Sequence, residues 1–460
     1  MSIARGAPAA VRREELRALW RLSLPLIVSY GGHQVMSLVD TAMVGRLGAT
    51  AIAGVGIGNA IYFAITIVGL GCVLGMDPLV SQALGAGEEA RARRVLWQGL
   101  RLAVAVGLPL TALLALSPAL LEPAGIGAET AQQVERYLYA RLPNAIPFLL
   151  FIAARCYLQA RGVTRPIVIS VVLANLVNLV GNALFIYGDE ALAWFDLPGI
   201  GLPALGVVGS GLASSLAAII SVLLLAAAIR ALSTPADPGR RRHDPQIQRS
   251  LWRLGLPLGL QLLAEVGVFS LSAVLIGGIG ADAAAGHQIA ITLASLTFCV
   301  TLGVASATSV QVGLHIGRGD TPAARRAGLL GLGLAASFMS LSAATFVTIP
   351  ALLAAFFTDD AGAVAAAVPL LQIAAVFQLS DGTQVVAAGA LRGAGDTRFP
   401  LYANLVGHYA VGLPLILALG FGLDLGAPGV WWGLSAGLTA VALTLALRFS
   451  RLSSRPIQRV

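Results

Sequence analysis

The second half of this chain repeats its first at a fixed offset of 232 positions, and both halves are mostly apolar. Arg21-Leu22-Ser23-Leu24-Pro25-Leu26 recurs as Arg253-Leu254-Gly255-Leu256-Pro257-Leu258, and Gly48-Ala49 recurs as Gly280-Ala281. Gly85-Ala86-Gly87 answers Gly317-Arg318-Gly319, with Arg93-Arg94 against Arg325-Arg326. No gap separates these landmarks. Membrane chains built from two like halves usually bind cargo near mid-bilayer and move the halves to switch access. A transporter is therefore the expectation.

Hydrophobic residues make up 57% of the chain and charged residues 11%, against roughly 25% charged in soluble domains. A spanning helix needs about 20 predominantly apolar residues. Such stretches occur at 19–41, 52–76, 96–121, 136–160, 166–187, 204–230, 252–276, 284–310, 326–355, 366–390, 400–421 and 428–447. Segment 233–250, with Pro235, Pro238-Gly239 and Arg240-Arg241-Arg242, is the long polar interruption. Six spans precede it and six follow. The expected fold is an all-α polytopic membrane protein with twelve transmembrane helices in two six-helix bundles. An even number per half keeps the repeats in one orientation, so their pseudo-two-fold axis should run along the membrane normal. The expected division is a cytoplasmic tail 1–18, an N-terminal bundle 19–232, a cytoplasmic linker 233–250, a C-terminal bundle 251–448 and a cytoplasmic tail 449–460.

A net charge of +8 would suit nucleic acid, but its distribution argues for a membrane. All 30 basic residues are arginine. They gather in the tails and in alternate loops, at Arg91/Arg93/Arg94, Arg161/Arg165, Arg240–Arg242, Arg318/Arg325/Arg326 and Arg392/Arg398. The intervening loops carry Glu122, Asp189, Glu190, Asp282, Asp359, Asp360 and Asp424. Basic loops stay cytoplasmic, so both termini are expected in the cytoplasm, with the chain in the cytoplasmic membrane of a bacterium. Cys72, Cys156 and Cys299 fall within spans and lack metal-site spacing. No GxxxxGK[ST] loop suggests ATP as the direct energy source. Neither a nucleophile–base pair nor an HExxH set supports an intramembrane enzyme, so neither catalysis nor a resident cofactor is expected.

A carboxylate at the bilayer centre costs about 2.5–3.5 kcal/mol on insertion scales, and one retained there marks a functional site by default. Asp40, Glu265 and Asp381 lie well inside the first, seventh and tenth spans, and Asp77 near the end of the second. Gln261, Glu265 and Ser272 share one helix face, as do Gln378, Asp381 and Gln384. Burial favours a protonated carboxyl and a bound cation favours a carboxylate, so proton and cation compete for such sites. In the first half, His33, Ser37 and Asp40 share a face, and Asn175, Asn178 and Asn182 form a stripe. Hard oxygen donors of this kind suit a small cation or a proton relay. Asn404 and His408, four apart, are cavity candidates, and Phe269 is an aromatic surface for a flat cation. The bland alternative is that the amides hold helices together and the aromatics fill the core.

Several motifs carry a family resemblance. Val39-Asp40-Thr41-Ala42-Met43-Val44-Gly45 and Leu79-Val80-Ser81-Gln82-Ala83-Leu84-Gly85-Ala86-Gly87 resemble the first and second helices of the multidrug and toxic compound extrusion (MATE) family. Ala264-Glu265-Val266, Ala285-Gly286-His287-Gln288-Ile289-Ala290 and Gly317-Arg318-Gly319-Asp320 resemble the counterparts in the second half. Leu379-Ser380-Asp381-Gly382-Thr383-Gln384, followed by Leu391-Arg392-Gly393-Ala394-Gly395-Asp396-Thr397, resembles the tenth helix and its loop. The pair Glu265 and Asp381 is similar to the NorM branch rather than the DinF branch. The resemblance implies export of organic, mostly cationic, compounds by a monomeric antiporter driven by Na⁺ or H⁺, with no ATPase subunit. By position it implies Glu265 and Asp381 as cation ligands, for Na⁺ if sodium is the coupling ion, with Asp40 and Asn178 forming the N-bundle site. Some members carry a tyrosine one turn before the tenth-helix acid; this chain has Phe377 and lacks that hydroxyl ligand. A flippase of lipid-linked sugars or another amphiphile is the alternative, which a basic cavity would favour.

Overall fold

The computed structural model describes residues 9–194, 196–232 and 242–460, and among them it is helical without strands. The first expected span lies in α1 (Ala9–Val44), broken by neither Pro25 nor the Gly31-Gly32 pair. Among the described residues eleven other helices are long and apolar enough to cross a membrane. In chain order they are α2 (Ala49–Gly85), α3 (Glu89–Leu120), α4 (Ala128–Ala160), α5 (Arg165–Tyr187), α6 (Val207–Ala231) and α7 (Pro245–Gly277), then α8 (Ala281–Gly317), α9 (Thr321–Thr348), α10 (Ala361–Gly393), α11 (Arg398–Gly422) and α12 (Gly426–Leu452). By hydropathy alone α1 falls outside that set, because His33, Gln34 and Asp40 interrupt its apolar run.

Two of the differences from the expected boundaries have single-residue causes. The ninth span does not run through 326–355; α9 stops at Thr348 and a short helix, Pro350–Ala355, follows. Pro350 has no N–H to donate and its ring disfavours helix in the residue before it. The expected linker 233–250 is already helical from Pro245. Asp244 starts that helix by accepting the N–H groups of Gln246 (3.0 Å) and Ile247 (3.1 Å), with Pro245 at the first helical position. Residues 233–241 of the linker and 1–8 of the first tail lie outside the described residues.

Other interruptions have local causes. Pro78 breaks α2 at Gly75, and Pro143 tightens α4 into a 3₁₀ turn at Leu142–Asn144. α11 widens into π-helical turns at Leu405–Gly412 and Ala418–Gly422, a distortion frequent at functional sites.

Contacts divide the chain into two compact units. The N unit holds the described residues of Val28–Met76 and Glu89–Gly259; the C unit holds those up to Ile27, Asp77–Glu88 and Leu260–Val460. The first turns of α7 thus belong to the N unit, and the start of α1 and the end of α2 to the C unit. In the N unit α5 packs along α6, and α4 packs on α2, α3 and α6. In the C unit α10 is the central helix, packed on α8, α9 and α12. Small residues permit that approach: a β-carbon on Gly389 would stand 2.5 Å from the Ala305 carbonyl oxygen. Val268, Leu370, Phe377, Trp431 and Leu434 fill one end of this unit, and Ile316, Leu391, Leu445 and Phe449 the other.

Candidate functional site

In the N unit, Asp40 is buried on α1 and accepts three hydrogen bonds from two other helices. Asn178 Nδ2 (2.9 Å) and Asn182 Nδ2 (2.6 Å) on α5 donate to Oδ1; Ser214 Oγ (2.7 Å) on α6 donates to Oδ2. Asn178 and Asn182, four apart, share a helix face, and the close packing of Gly181 on Ala213 brings Ser214 to the same level. Hydrogen bonds to a charged group contribute about 1.5–3 kcal/mol each, so this carboxylate is held firmly. Asn178 Oδ1 accepts from Asn182 Nδ2 (3.2 Å), while Asn182 Oδ1 is buried without a partner. A proton or small cation would meet amide, carboxylate and hydroxyl oxygens here.

Not every residue of the expected first-half face joins this cluster. His33 Nδ1 pairs with the Ser29 carbonyl of its own helix (2.8 Å), and its ring packs 5.5 Å from Phe151. Asn175 turns back to Val171 O (2.9 Å) on its own helix. Ser37 accepts a long bond from Asn59 Nδ2 (3.5 Å), and Asn59 Oδ1 in turn accepts from Arg141 (2.7 Å). Ser214 and Arg141 are the members that sequence reasoning missed. Arg141 carried a usable signal, a charge inside the apolar stretch 136–160; Ser214 carried none, being one of four serines on α6.

In the C unit, Glu265 on α7, Gln384 on α10 and Asn404 on α11 are joined. Gln384 Nε2 donates to Glu265 Oε2 (3.3 Å) and to Asn404 Oδ1 (3.2 Å), while Asn404 Nδ2 donates to the Pro400 carbonyl (2.9 Å). Asp381, one turn before Gln384, is buried, interacts electrostatically with Glu265, and accepts no hydrogen bond from the described residues. Gln378, a turn earlier again, is 1% exposed and neither end of its amide has a partner. Gln261 Oε1, Gln384 Oε1 and His408 Nε2 are also buried and unpaired. Each such atom costs about 1–3 kcal/mol if nothing satisfies it, and native proteins hold few. The polar residues expected on these three helices therefore form a region suited to an ion, a proton or water. Among the described residues no group of three or more His, Cys, Asp and Glu could hold a metal, so a cation here would rely on the two acids with amide oxygens.

Aromatic side chains close this region on one side. Phe269 meets Phe377 edge-on (5.8 Å) and lies 6.3 Å from His408, and Phe377 packs on Trp431 (5.5 Å). Trp431 Nε1 donates to His287 Nδ1 (3.1 Å). Phe377 belongs to the packed core; Phe269 is only partly buried beside it. Asp77, expected near the end of the second span, is fully buried and ion-paired with Arg392 (3.2 Å).

Repeated halves, apolar helices of spanning length and acids buried within them define a multi-pass membrane protein of transporter type. The sequence model described as MatE matches residues 25–184 and 257–417, two segments whose starts are again 232 apart, and the chain belongs to that family. It is 39% identical to a probable multidrug resistance protein NorM of Deinococcus radiodurans, over 96% of this chain and 97% of the relative. Against the protein of the same name from Pseudomonas aeruginosa it is 38% identical, over 96% of this chain and 90% of that one. Its fold resembles the eukaryotic MATE transporter AtDTX14 (TM-score 0.84, 19% identity, covering 95% of this chain and 96% of that one). It also resembles a MOP superfamily transporter from Pyrococcus furiosus described as having a binding pocket of reverse polarity (TM-score 0.86, 21% identity, 96% of each chain).

Proposed function

We propose that this chain is a secondary active multidrug exporter that expels organic, mostly cationic, compounds in exchange for Na⁺ or H⁺ by alternating access. The observation that carries the reading is the C-unit group, where Glu265 is tied to Gln384 and Asn404 while Asp381 stands close by without a donor. Two acids sharing a region poor in donors can exchange a proton or small cation with the two sides of a membrane. Asp40 with Asn178 and Asn182 forms the second polar site. The names of the relatives agree with drug export. The protein would work as a monomer in a bacterial cytoplasmic membrane with both termini in the cytoplasm, and the repeats 19–232 and 251–448 would be the moving bundles. No separate ATPase is required.

A flippase of lipid-linked sugars or another amphiphile is the second reading, favoured by the burial of Arg155 inside α4, where Arg141 is half-buried. Dye efflux from proteoliposomes, with Na⁺ and pH gradients imposed separately, tests the leading reading and identifies the ion. Glu265→Gln and Asp381→Asn keep shape and hydrogen bonding but delete charge, so both should abolish gradient-driven efflux. Normal efflux by both variants would overturn the assignment.

A further inference from the structure

Within the C unit, the start of α1 lies against the end of α8 and the start of α9 around a cavity of about 360 Å³. Small-molecule sites begin near that size, at about 300 Å³. The walls of the cavity divide by depth. Leu19, Ala327 and Leu330 line it where the first and ninth apolar stretches, 19–41 and 326–355, begin. Glu14, Glu15, His315 and Arg318 also line it, and all four fall outside those stretches and the eighth, 284–310. At about 1.5 Å of rise per residue, Glu15 and His315 lie about 6–8 Å beyond these limits. Headgroups occupy about 5–8 Å on each side of the hydrocarbon core. Trp20, exposed on α1 beside Leu19, suits the same interface. Three helices thus put this cavity at one boundary of the bilayer, with its charged end outward.

The charges at that outer end are of both signs. Glu15 accepts from Arg326 Nε (3.0 Å) and Nη2 (2.9 Å), so this pair is neutral and ties α1 to α9. Glu14 and Arg318 are exposed and join no ion pair among the described residues. The His315 ring, half-buried between them in depth, makes no hydrogen bond to the described residues. One free carboxylate and one free guanidinium call for an occupant with a cation and an anion at its outer end. A primary ammonium brings three N–H donors to a carboxylate, and a guanidinium forks onto phosphate oxygens. A quaternary ammonium has no N–H to give, and a purely anionic headgroup would set its charge against Glu14.

We propose that this cavity is a lipid site selective for phosphatidylethanolamine. Glu14 takes the ammonium, Arg318 and His315 take the phosphate, and Leu19 and Leu330 meet the start of the acyl chains. The site requires only that the chain span a membrane, so it stands apart from the exporter reading. Native mass spectrometry of the purified full chain measures occupancy by the first bound lipid. Palmitoyl-oleoyl phosphatidylethanolamine, phosphatidylcholine and phosphatidylglycerol are added singly at equal concentration. Wild type should retain phosphatidylethanolamine about threefold to fivefold more than either of the others, the range of one exposed ion pair. Glu14→Gln should abolish that preference and leave phosphatidylcholine binding unchanged, while Arg318→Gln should weaken both lipids alike. Both side chains are exposed, so both variants should fold. Wild type that holds phosphatidylcholine or phosphatidylglycerol equally well overturns the site without any variant. So does a preference that survives Glu14→Gln, or binding that Arg318→Gln leaves untouched. Glycerophosphoethanolamine, the headgroup without chains, should fail to displace the lipid; displacement at equal concentration would make the occupant a soluble zwitterion and overturn the lipid assignment.

Discussion

The hydroxyl of Ser214 offers the sharpest test of how the N unit holds its carboxylate. Ser214→Ala removes the donor to Asp40 Oδ2 and the long bond from Asn178 Nδ2 (3.4 Å), with almost no change of volume. A hydrogen bond to a charged group is worth about 1.5–3 kcal/mol, against about 0.5–1.5 kcal/mol between neutral groups. Asp40→Asn keeps the shape but makes the Ser214 bond neutral. Ser214→Ala should therefore cost about 1.5–3 kcal/mol in wild type and about 1 kcal/mol less in the Asp40→Asn background. Equilibrium unfolding in micelles, followed by tryptophan fluorescence for all four proteins of the cycle, measures that coupling. Additivity within about 0.3 kcal/mol would refute the reasoning, because the hydroxyl would then not be bonded to the carboxylate. The same cycle read as efflux rate should show both single variants impaired.

Gln384→Leu should strip Glu265 and Asn404 of their shared donor, lowering stability by about 1–3 kcal/mol and slowing gradient-driven efflux; an unchanged efflux rate would remove Gln384 from the site. Asp189, outside the membrane spans, accepts the N–H groups of Ile200 (3.1 Å), Gly201 (2.9 Å) and Leu202 (2.9 Å), and these bonds hold its carboxyl below the usual range. A folded value depressed in this way stabilises the loop above about pH 4 and ceases to do so as pH falls through that lower value. Limited proteolysis of the loop should therefore speed up only in strong acid for wild type, but already at neutral pH for Asp189→Asn; identical profiles would dissociate the carboxylate from loop order.

Much of this architecture was legible because membrane helices must satisfy their own backbone and so announce themselves as apolar runs. The repeat added the pairing of the halves. What hydropathy misjudged were positions governed by single residues: Pro350 ended α9, and Asp244 with Pro245 began a helix inside a polar stretch. For the sites, helical spacing placed Asn178 and Asn182 on one face, but which helix that face meets is a tertiary fact, 138 residues distant in the case of Asp40 and Asn178. Spacing also put His33 and Asn175 on these faces, and each bonds a carbonyl of its own helix. Local bonding of that kind leaves no trace in the pattern of residue types.

The ends of α2 and α8 show how the repeat acts as geometry within the C unit. Repeat-equivalent residues meet there: a β-carbon on Gly313 would stand 2.8 Å from Ser81 Cβ, and one on Gly317 would stand 2.9 Å from Gly85 Cα. A local two-fold thus passes between the helices. One side chain, Arg392, is not symmetric about it. Its guanidinium reaches Asp77 (3.2 Å) on α2 and Ser309 (3.3 Å) on α8, positions again 232 apart but unlike in charge. Because Asp77 is fully buried, breaking this pair by removing one charge should cost more than removing both together. Asp77→Asn and Arg392→Met should each destabilise the protein strongly and the double variant much less; additive losses would show that the two are not a pair. Helices joined this closely must part if this end of the protein opens during turnover. Ser81→Cys with Gly313→Cys, in a background without Cys72, Cys156 and Cys299, tests that step. A disulfide prefers β-carbons about 3.8 Å apart, so a small separation suffices to form it, and export should then stop until the bond is reduced. Complete cross-linking with undiminished export would mean that α2 and α8 stay together throughout the cycle.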